Sequence, residues 1–247
     1  VWEREAPAKL ALADEVHLWQ ASLVVSASEL QQYAQSLSVD EQTRADRFRF
    51  PRDSHRFIAS RGILRALLGR YLKTSPEELQ FCYSKQGKPA LAAAFATFGL
   101  EFNLSHSEDL MVCAIARDCR IGIDLEYLRP VANLEDLTQR FFAPREHTAI
   151  HALPDELRLR SFFQHWTCKE ALLKATGDGL MSLSAIEVCL ERETAKLISW
   201  SSVAQPANEW SLQLFTPRSG YVAAVAMEAL DRSIAFWQWN VDINAWK

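Results

Sequence analysis

Two carboxylates two residues apart, Asp124 and Glu126, lie in the stretch Ile121-Gly122-Ile123-Asp124-Leu125-Glu126-Tyr127, where apolar residues alternate with small or acidic ones. This period of two predicts a half-buried strand with Ile121, Ile123, Leu125 and Tyr127 on one face and both acids on the other. Alpha carbons two apart on a strand are separated by roughly 6.5–7 Å, so the acids can converge on one hard cation or repel each other. For an isolated pair the default reading is an edge strand with a solvated face. A third acid, Glu170, stands four residues before Lys174, which puts both on one helical stripe with Thr167 and Phe163. Its plain alternative is a surface ion pair. Ser105-His106-Ser107 gathers hydroxyl, imidazole and amide donors in one place, as a pyrophosphate needs, although a surface turn has the same composition. Gln86-Gly87-Lys88-Pro89 reads as a turn whose backbone amides and lysine can hold an anion or the edge of a base. It lacks the glycine spacing and G-K-[ST] ending of a Walker loop, which disfavours P-loop nucleotide hydrolysis. Arg44, Arg47, Arg49, Arg52, Arg56 and Arg61 form the most cationic part of the chain. A solvated helix face accounts for most of them, and the guanidinium fork also suits a phosphate.

Several elements must position these side chains. A first strand is expected at His17–Val25, where aromatic and β-branched residues cluster, and a helix from Ser28 with Leu30, Tyr33, Ala34 and Leu37 on one stripe. Pro51 marks a break. After it, Ile58, Ile63, Leu64, Leu67, Leu68 and Tyr71 outline a second amphipathic helix ending before Ser75-Pro76. A short strand at Leu79–Tyr83 leads into the Gln86–Pro89 turn, and Phe102–Ser107, with its Ser-His-Ser at a strand-to-turn junction, runs into the strand Leu110–Ala116. A helix is expected around Leu134–Phe142 and the longest one from about Asp155 to Ala175, closed by Gly177 and Gly179. Strands follow at Ile186–Leu190, Leu197–Trp200, Trp210–Phe215, Tyr221–Met227 and Ile234–Trp239; in the tryptophan-rich end from Asp231 an extra edge strand is expected.

The 247 residues suffice for one large or two small domains, and 49% hydrophobic and 23% charged residues are ordinary globular values. A net charge of −4 and the absence of a large basic patch argue against a nucleic-acid binder. Five scattered cysteines without a C-x-x-C pair suit reduced thiols rather than zinc, and no apolar run has membrane-spanning length. No signal peptide is visible, although the first residue, Val1, leaves room for a trimmed start; a cytoplasmic location is the expectation.

The chain also echoes itself. Arg47-Phe48-Arg49-Phe50-Pro51-Arg52-Asp53 resembles Arg140-Phe141-Phe142-Ala143-Pro144-Arg145-Glu146, and each precedes a helix ending in Ala-Leu-Leu, at Ala66–Leu68 and Ala171–Leu173. The second copy holds roughly a dozen extra residues between break and triplet. Two similar α+β halves follow, with a cleft between them as the natural ligand site.

Taken together, Gln86-Gly87-Lys88-Pro89-Ala90, Phe102-Asn103-Leu104-Ser105-His106-Ser107, Ile121–Glu126, Trp166-Thr167-Cys168-Lys169-Glu170-Ala171-Leu172-Leu173-Lys174 and Gly177-Asp178-Gly179-Leu180 resemble, in order and spacing, a 4′-phosphopantetheinyl transferase of the surfactin-synthetase-activating type. The likeness is strong over residues 40–182. It implies an α+β fold of two similar α/β subdomains forming a pseudo-dimer, divided as 1–119 and 120–247. It implies transfer of 4′-phosphopantetheine from coenzyme A to a serine of an apo acyl or peptidyl carrier protein, releasing adenosine 3′,5′-bisphosphate. Coenzyme A or carrier binding without turnover is the alternative, and metal-dependent pyrophosphate hydrolysis a third reading.

By that resemblance Asp124, Glu126 and Glu170 hold magnesium, and Glu170, Lys174 and His106 are catalytic, with Glu170 the base for the carrier serine and Lys174 meeting the leaving phosphate. Arg44, Gln86, Gly87, Lys88, Pro89, Asn103, Leu104, Ser105, His106, Lys169 and Lys174 bind the coenzyme: Ser105 and His106 at the pyrophosphate, the turn at the adenine, Arg44 at the 3′-phosphate. Some relatives carry a further basic residue just before the G-K-P turn, where this chain has Tyr83 and Lys85 nearby. The resemblance further implies a monomer, with the carrier approaching near Tyr127–Arg140 and neither nucleic acid nor membrane as a partner.

Overall fold

The computed structural model describes residues 2–3, 12, 14–177, 180–191, 194–201, 207–230 and 232–240. In chain order the elements are β1 (Glu15–Ser22), α1 (Ala27–Ser36), α2 (Val39–Asp46), α3 (Pro51–Leu72), β2 (Phe81–Tyr83), β3 (Pro89–Leu91), β4 (Leu100–Ser107), β5 (Leu110–Arg117), β6 (Ile121–Tyr127), α4 (Leu134–Phe141), α5 (Pro144–His151), α6 (Asp155–Thr176), β7 (Ile186–Glu191), β8 (Thr194–Trp200), β9 (Ser211–Phe215), β10 (Tyr221–Met227) and β11 (Ser233–Gln238). The expected closing residue Gly179, the motif residue Asp178 before it, and residues 231 and 241–247 of the C-terminal end lie outside the described residues.

Local chemistry sets most boundaries. Ser26 caps α1 in a reciprocal box with Glu29, and Pro51 opens α3 where its missing N–H costs nothing. The catalytic-helix candidate α6 ends at Gly177, whose left-handed backbone (φ 81°) lets its N–H reach Leu173 O at 2.8 Å.

The strands form two main sheets, β11-β1-β5-β4 and β6-β10-β9-β8-β7, plus the β2–β3 hairpin. Strand alternation assigns every second residue to one face. On β5, Leu110, Val112 and Ala114 pack toward Ile121, Ile123 and Leu125 of β6 and Ala223 and Val225 of β10, so the sheets lie face to face. The odd residues Met111, Cys113 and Ile115 pack instead with Trp19 and with Ile63, Leu64 and Leu67 of α3. On β10, Val222, Ala224 and Ala226 turn outward to Leu172 and Leu173 of α6. The result is a helix–sheet–sheet–helix arrangement, an α+β fold of two α/β subdomains. The C-terminal strand β11 crosses back and runs parallel to β1, from Glu15 opposite Ser233 to Gln20 opposite Gln238, as an edge strand of the first sheet.

Two sequence expectations change. Ser105 and His106 do not sit on a turn: Phe102–Ser107 is the body of β4, paired antiparallel to β5 with Ser105 opposite Val112. The internal echo also has a different register. Pro144 opens the separate eight-residue helix α5, which absorbs the extra residues, and α6 begins at Asp155. The structural counterpart of α5 is α2. Each is eight residues long, each precedes a 22-residue helix, and each carries a buried glutamate at its third position, Glu41 and Glu146. Glu41 accepts from Arg65 of α3 at 2.7 Å and Glu146 from Lys169 of α6 at 2.6 Å, with all four side chains no more than 1% exposed. Arg65 also donates to Pro76 O and Leu79 O, and Lys169 to Phe141 O and Leu183 O, so each buried cation is well satisfied.

Candidate active site at the seam of the two sheets

The edges of the two sheets, β4 and β6, meet without a backbone ladder. Side chains of β4 stitch them at every second residue. Asn103 Oδ1 accepts from Ile123 N at 2.8 Å, Ser105 Oγ donates to Asp124 Oδ1 at 3.0 Å, and Ser107 Oγ accepts from Tyr127 N at 3.0 Å and donates to Glu126 Oε2 at 3.3 Å. Asp124 and Glu126 do share a face, as the alternation predicts, and that face looks at α6. Gly122 makes the approach possible: a Cβ there would lie 2.0 Å from Ala171 O and 2.4 Å from Ala175 N. With no side chain in the way, the helix backbone lies directly on the strand.

That contact brings Lys174 over the strand. Its Nζ donates to Asp124 Oδ1 at 2.6 Å and to Ser105 Oγ at 3.0 Å. Lys174 thus pairs with a carboxylate on a different element, and not with Glu170 one turn back. Burial, then the charge of Asp124, pushes the Glu170 carboxyl up to about 7, with Lys174 opposing and Glu126 adding to the rise. The Glu126 carboxyl is also raised, first by burial, although Arg129 Nη1 donates to its Oε2 at 2.9 Å. His106 is exposed. Enough protein surrounds it that desolvation, followed by Lys174, Arg56 and Arg61, holds its imidazole below the ordinary histidine range.

Beside this cluster is a cavity of about 300 Å³. Gln86, Gly87, Lys88 and Pro89 form one wall, Asn103 and Leu104 a second, and Glu170, Lys174 and Gly177 a third. Three stretches far apart in the chain therefore converge as expected. Lys88 takes a part that its G-K-P turn does not suggest. Its Nζ donates to Ala175 O at 3.2 Å and Ile121 O at 3.5 Å, fastening the hairpin turn to the end of α6 and the start of β6. Burial holds its ammonium below the ordinary lysine range.

One family model, described as the 4′-phosphopantetheinyl transferase superfamily, matches residues 120–226. A second, described as 4′-phosphopantetheinyl transferase, N-terminal, matches residues 19–118. The 4′-phosphopantetheinyl transferase HetI of Nostoc sp. strain PCC 7120 is 48% identical over 239 residues, which cover 96% of this chain and 98% of HetI. The chain belongs to the 4′-phosphopantetheinyl transferase family. More distant relatives include AcpT of Salmonella typhi, 35% identical over 51% of this chain and 62% of its own, and the 4′-phosphopantetheinyl transferase of Bacillus subtilis, 29% identical over 63% and 67%.

Within the transferase, four expected coenzyme contacts do not line the cavity: Ser105 and His106 follow its lining residues along β4, while Lys169 and Arg44 lie on other elements. Lys169 points into the second subdomain's core, where its ammonium is wholly buried against Glu146 and two carbonyls; the expectation that it binds coenzyme is corrected, because no N–H remains to reach a ligand. Arg44 is exposed at the end of α2, with its guanidinium 5.2 Å above the Phe57 ring. Arg61 approaches the same ring at 5.7 Å and the Tyr83 ring at 5.7 Å. Its Nη1 is buried with no hydrogen-bond partner among the described residues. In the sequence Arg61 is one of the cationic run, and its spacing of four before Arg65, on one helical stripe, is the signal that sets it apart.

The expected metal triad is not preassembled. Among the described residues no three histidine, cysteine, aspartate or glutamate side chains stand close enough to share one ion. Lys174 occupies one oxygen of Asp124, while Arg129 and Ser107 hold Glu126. The donor chemistry nevertheless fits a hard cation. Asp124 Oδ2 and Glu170 Oε1 are both buried with no partner among the described residues, an arrangement that costs free energy until a donor or cation meets them.

Proposed function

We propose that the β4–β6 seam is where this transferase passes 4′-phosphopantetheine from coenzyme A to a serine of an apo carrier protein, acyl or peptidyl, releasing adenosine 3′,5′-bisphosphate. The observation that carries the reading is Lys174 held between Asp124 and Ser105 at the mouth of the Gln86–Pro89 cavity, one turn from a Glu170 whose carboxyl is raised to about 7. The serine hydroxyl oxygen attacks the phosphorus that carries the pantetheine arm, the bond to the bridging oxygen breaks, and adenosine 3′,5′-bisphosphate departs with the electron pair. Glu170 takes the serine proton, a task for which an ordinary carboxylate is too weak a base. Lys174 and His106 supply donors to the pyrophosphate, Ser105, whose one O–H goes to Asp124, holds Lys174 in place beside them, and Lys174 meets the charge on the leaving phosphate. Asp124 and Glu170, with Glu126 as third carboxylate, would hold magnesium, whose charge would offset that of the pyrophosphate as its bridge opens. Asn103 and Leu104 line the cavity, the turn Gln86–Pro89 flanks the adenine, and Arg44, with Arg61 beside it, faces the 3′-phosphate.

One chain supplies all three walls of the cavity, from both halves, which supports the single-chain surfactin-synthetase-activating type, a monomer with pseudo-two-fold halves. The division near 119 and 120 follows the ranges of the two family models, with β11 as a strap back to the first half. The carrier approaches near Tyr127–Arg140, where Tyr127 and Arg129 are exposed and can meet an acidic helix. No helix of the described residues is long and apolar enough to cross a membrane. The five free cysteines support a reducing, cytoplasmic setting.

Incubation with coenzyme A, magnesium and a panel of apo carriers from fatty acid, polyketide and nonribosomal peptide synthesis should yield a carrier heavier by one phosphopantetheine in the mass spectrum. Coenzyme A binding with no adduct on any carrier would leave a binding protein and remove the transferase reading.

A further inference from the structure

The face of α6 opposite Glu170 and Lys174 closes a second cavity, of about 600 Å³, whose other walls are α5 and the β7–β8 hairpin. Such a volume falls within the roughly 300–1,000 Å³ of small-molecule sites. The helical period places Ser161 and His165 on the far side of α6 from the transfer seam and Gln164 on its flank, so the two sites share a helix and no wall. Leu153, Leu157, Val188 and Ile198 give the groove an apolar floor. Leu157 and Ile198 are each 48% exposed, more than an aliphatic side chain in a folded core retains.

Two exposed arginines and one buried histidine present polar atoms to this groove that no partner among the described residues takes up. Arg145 and Arg160 make no ion pair among the described residues; Arg160 donates only to Thr216 Oγ1, at 3.1 Å. Of the two carboxylates in the wall, Glu146 is consumed by Lys169 and the amides of Ala143 and Val188, and Glu187 makes no hydrogen bond or ion pair to either arginine. His165 is 4% exposed, and its Nδ1 lies 2.9 Å from Ser161 O. A carbonyl only accepts, so Nδ1 carries the hydrogen, and burial holds the ring below the ordinary histidine range and hence neutral. Nε2 is then a lone-pair acceptor with no partner among the described residues, on a side chain that lines the cavity. It calls for a donor, and the arginines call for an anion.

We propose that this groove is a binding site for an amphipathic carboxylate: an aliphatic chain along the leucine and isoleucine floor, its carboxylate at Arg145 and Arg160, and a hydroxyl near its head donating to His165 Nε2. The hydroxyl distinguishes this ligand from a plain fatty acid, because a bare chain would leave the histidine acceptor buried and unpaired.

Isothermal calorimetry of the whole chain with 3-hydroxydodecanoate and with dodecanoate tests it. The hydroxy acid should bind saturably at one site, about tenfold tighter than the plain acid, the value of one buried hydrogen bond. Arg160→Gln, on an exposed side chain, should weaken both ligands several-fold. His165→Phe should erase the preference for the hydroxyl, and His165→Gln, which keeps an acceptor, should restore part of it, with carrier modification from coenzyme A unchanged in all three. No saturable binding of either acid, a preference that survives His165→Phe, or displacement of the acid by saturating coenzyme A would each overturn the proposal.

Discussion

At the residue scale the site depends on which lysine meets which carboxylate. Lys174 reaches Asp124 across the seam, whereas Lys169, five residues earlier, is sealed against Glu146. The two should respond differently to the same change. Lys174→Met removes the donor proposed to meet the pyrophosphate and should lower kcat by about 10²–10³; it also leaves the buried Asp124 without its cation, so some stability goes with it. Lys169→Met leaves Glu146 charged and buried, which should cost about 3–5 kcal/mol in urea unfolding, with the KM for coenzyme A of the folded fraction unchanged. A rise in that KM without loss of stability would return Lys169 to the coenzyme site. The motif around these residues was legible from spacing and resemblance. The partner of each lysine was not, because residues five apart on a helix point about 140° apart and only the packed neighbours decide what each one meets.

At the element scale the decisive contact is α6 lying on β6 at Gly122. A glycine inside a strand often marks close approach of another backbone, and here that backbone belongs to the helix bearing Glu170 and Lys174. Gly122→Ala must move the helix, since its new methyl would stand 2.0 Å from Ala171 O. We expect a loss of about 1–3 kcal/mol in denaturant unfolding and a fall in kcat at temperatures where the variant remains folded. Normal turnover by folded Gly122→Ala would mean that the helix position is not what sets the site. Lys88 fastens the opposite wall by capping carbonyls near the C-terminus of α6, where a cation is favoured. Lys88→Met should therefore raise the KM for coenzyme A several-fold with little change in kcat. It should weaken dephospho-coenzyme A by the same factor, which a direct phosphate contact would not do.

At the scale of the whole molecule, two sheets stacked between two helical layers bury histidines that must stay neutral. His17 and His165 are almost fully buried, and desolvation is the leading cause that holds both below the ordinary value; at His17 the nearby Glu15 opposes it. Below about pH 6.5 the unfolded chain binds protons at these positions that the folded chain refuses, so stability rises with pH through that window and is lost as pH falls below it. The buried Glu170 carboxyl, raised to about 7, works the other way and is common to wild type and His165→Gln, so the comparison of the two proteins isolates the histidine: lowering pH from 6.5 to 5 should cost the wild type more melting temperature than His165→Gln. Equal changes in both proteins would show that His165 titrates alike in the folded and unfolded states.

What the sequence determined by itself was what local chemistry controls. The alternation in Ile121–Tyr127, the proline and glycine stops around the long helices, and four short motifs in family order placed the elements and the reaction class. Tertiary structure decided the rest. Asn103, Ser105 and Ser107 look like a turn in sequence because short polar residues suit turns, yet pairing with β5 makes them a strand that sutures the two sheets. The echo aligned two prolines, whereas buried ion pairs from Glu41 to Arg65 and from Glu146 to Lys169 align α2 with α5. Such pairs join residues more than twenty positions apart, and once both charges are out of water each one depends on the other, since breaking the pair strands a buried charge. Period and composition carry no trace of that until the chain has folded.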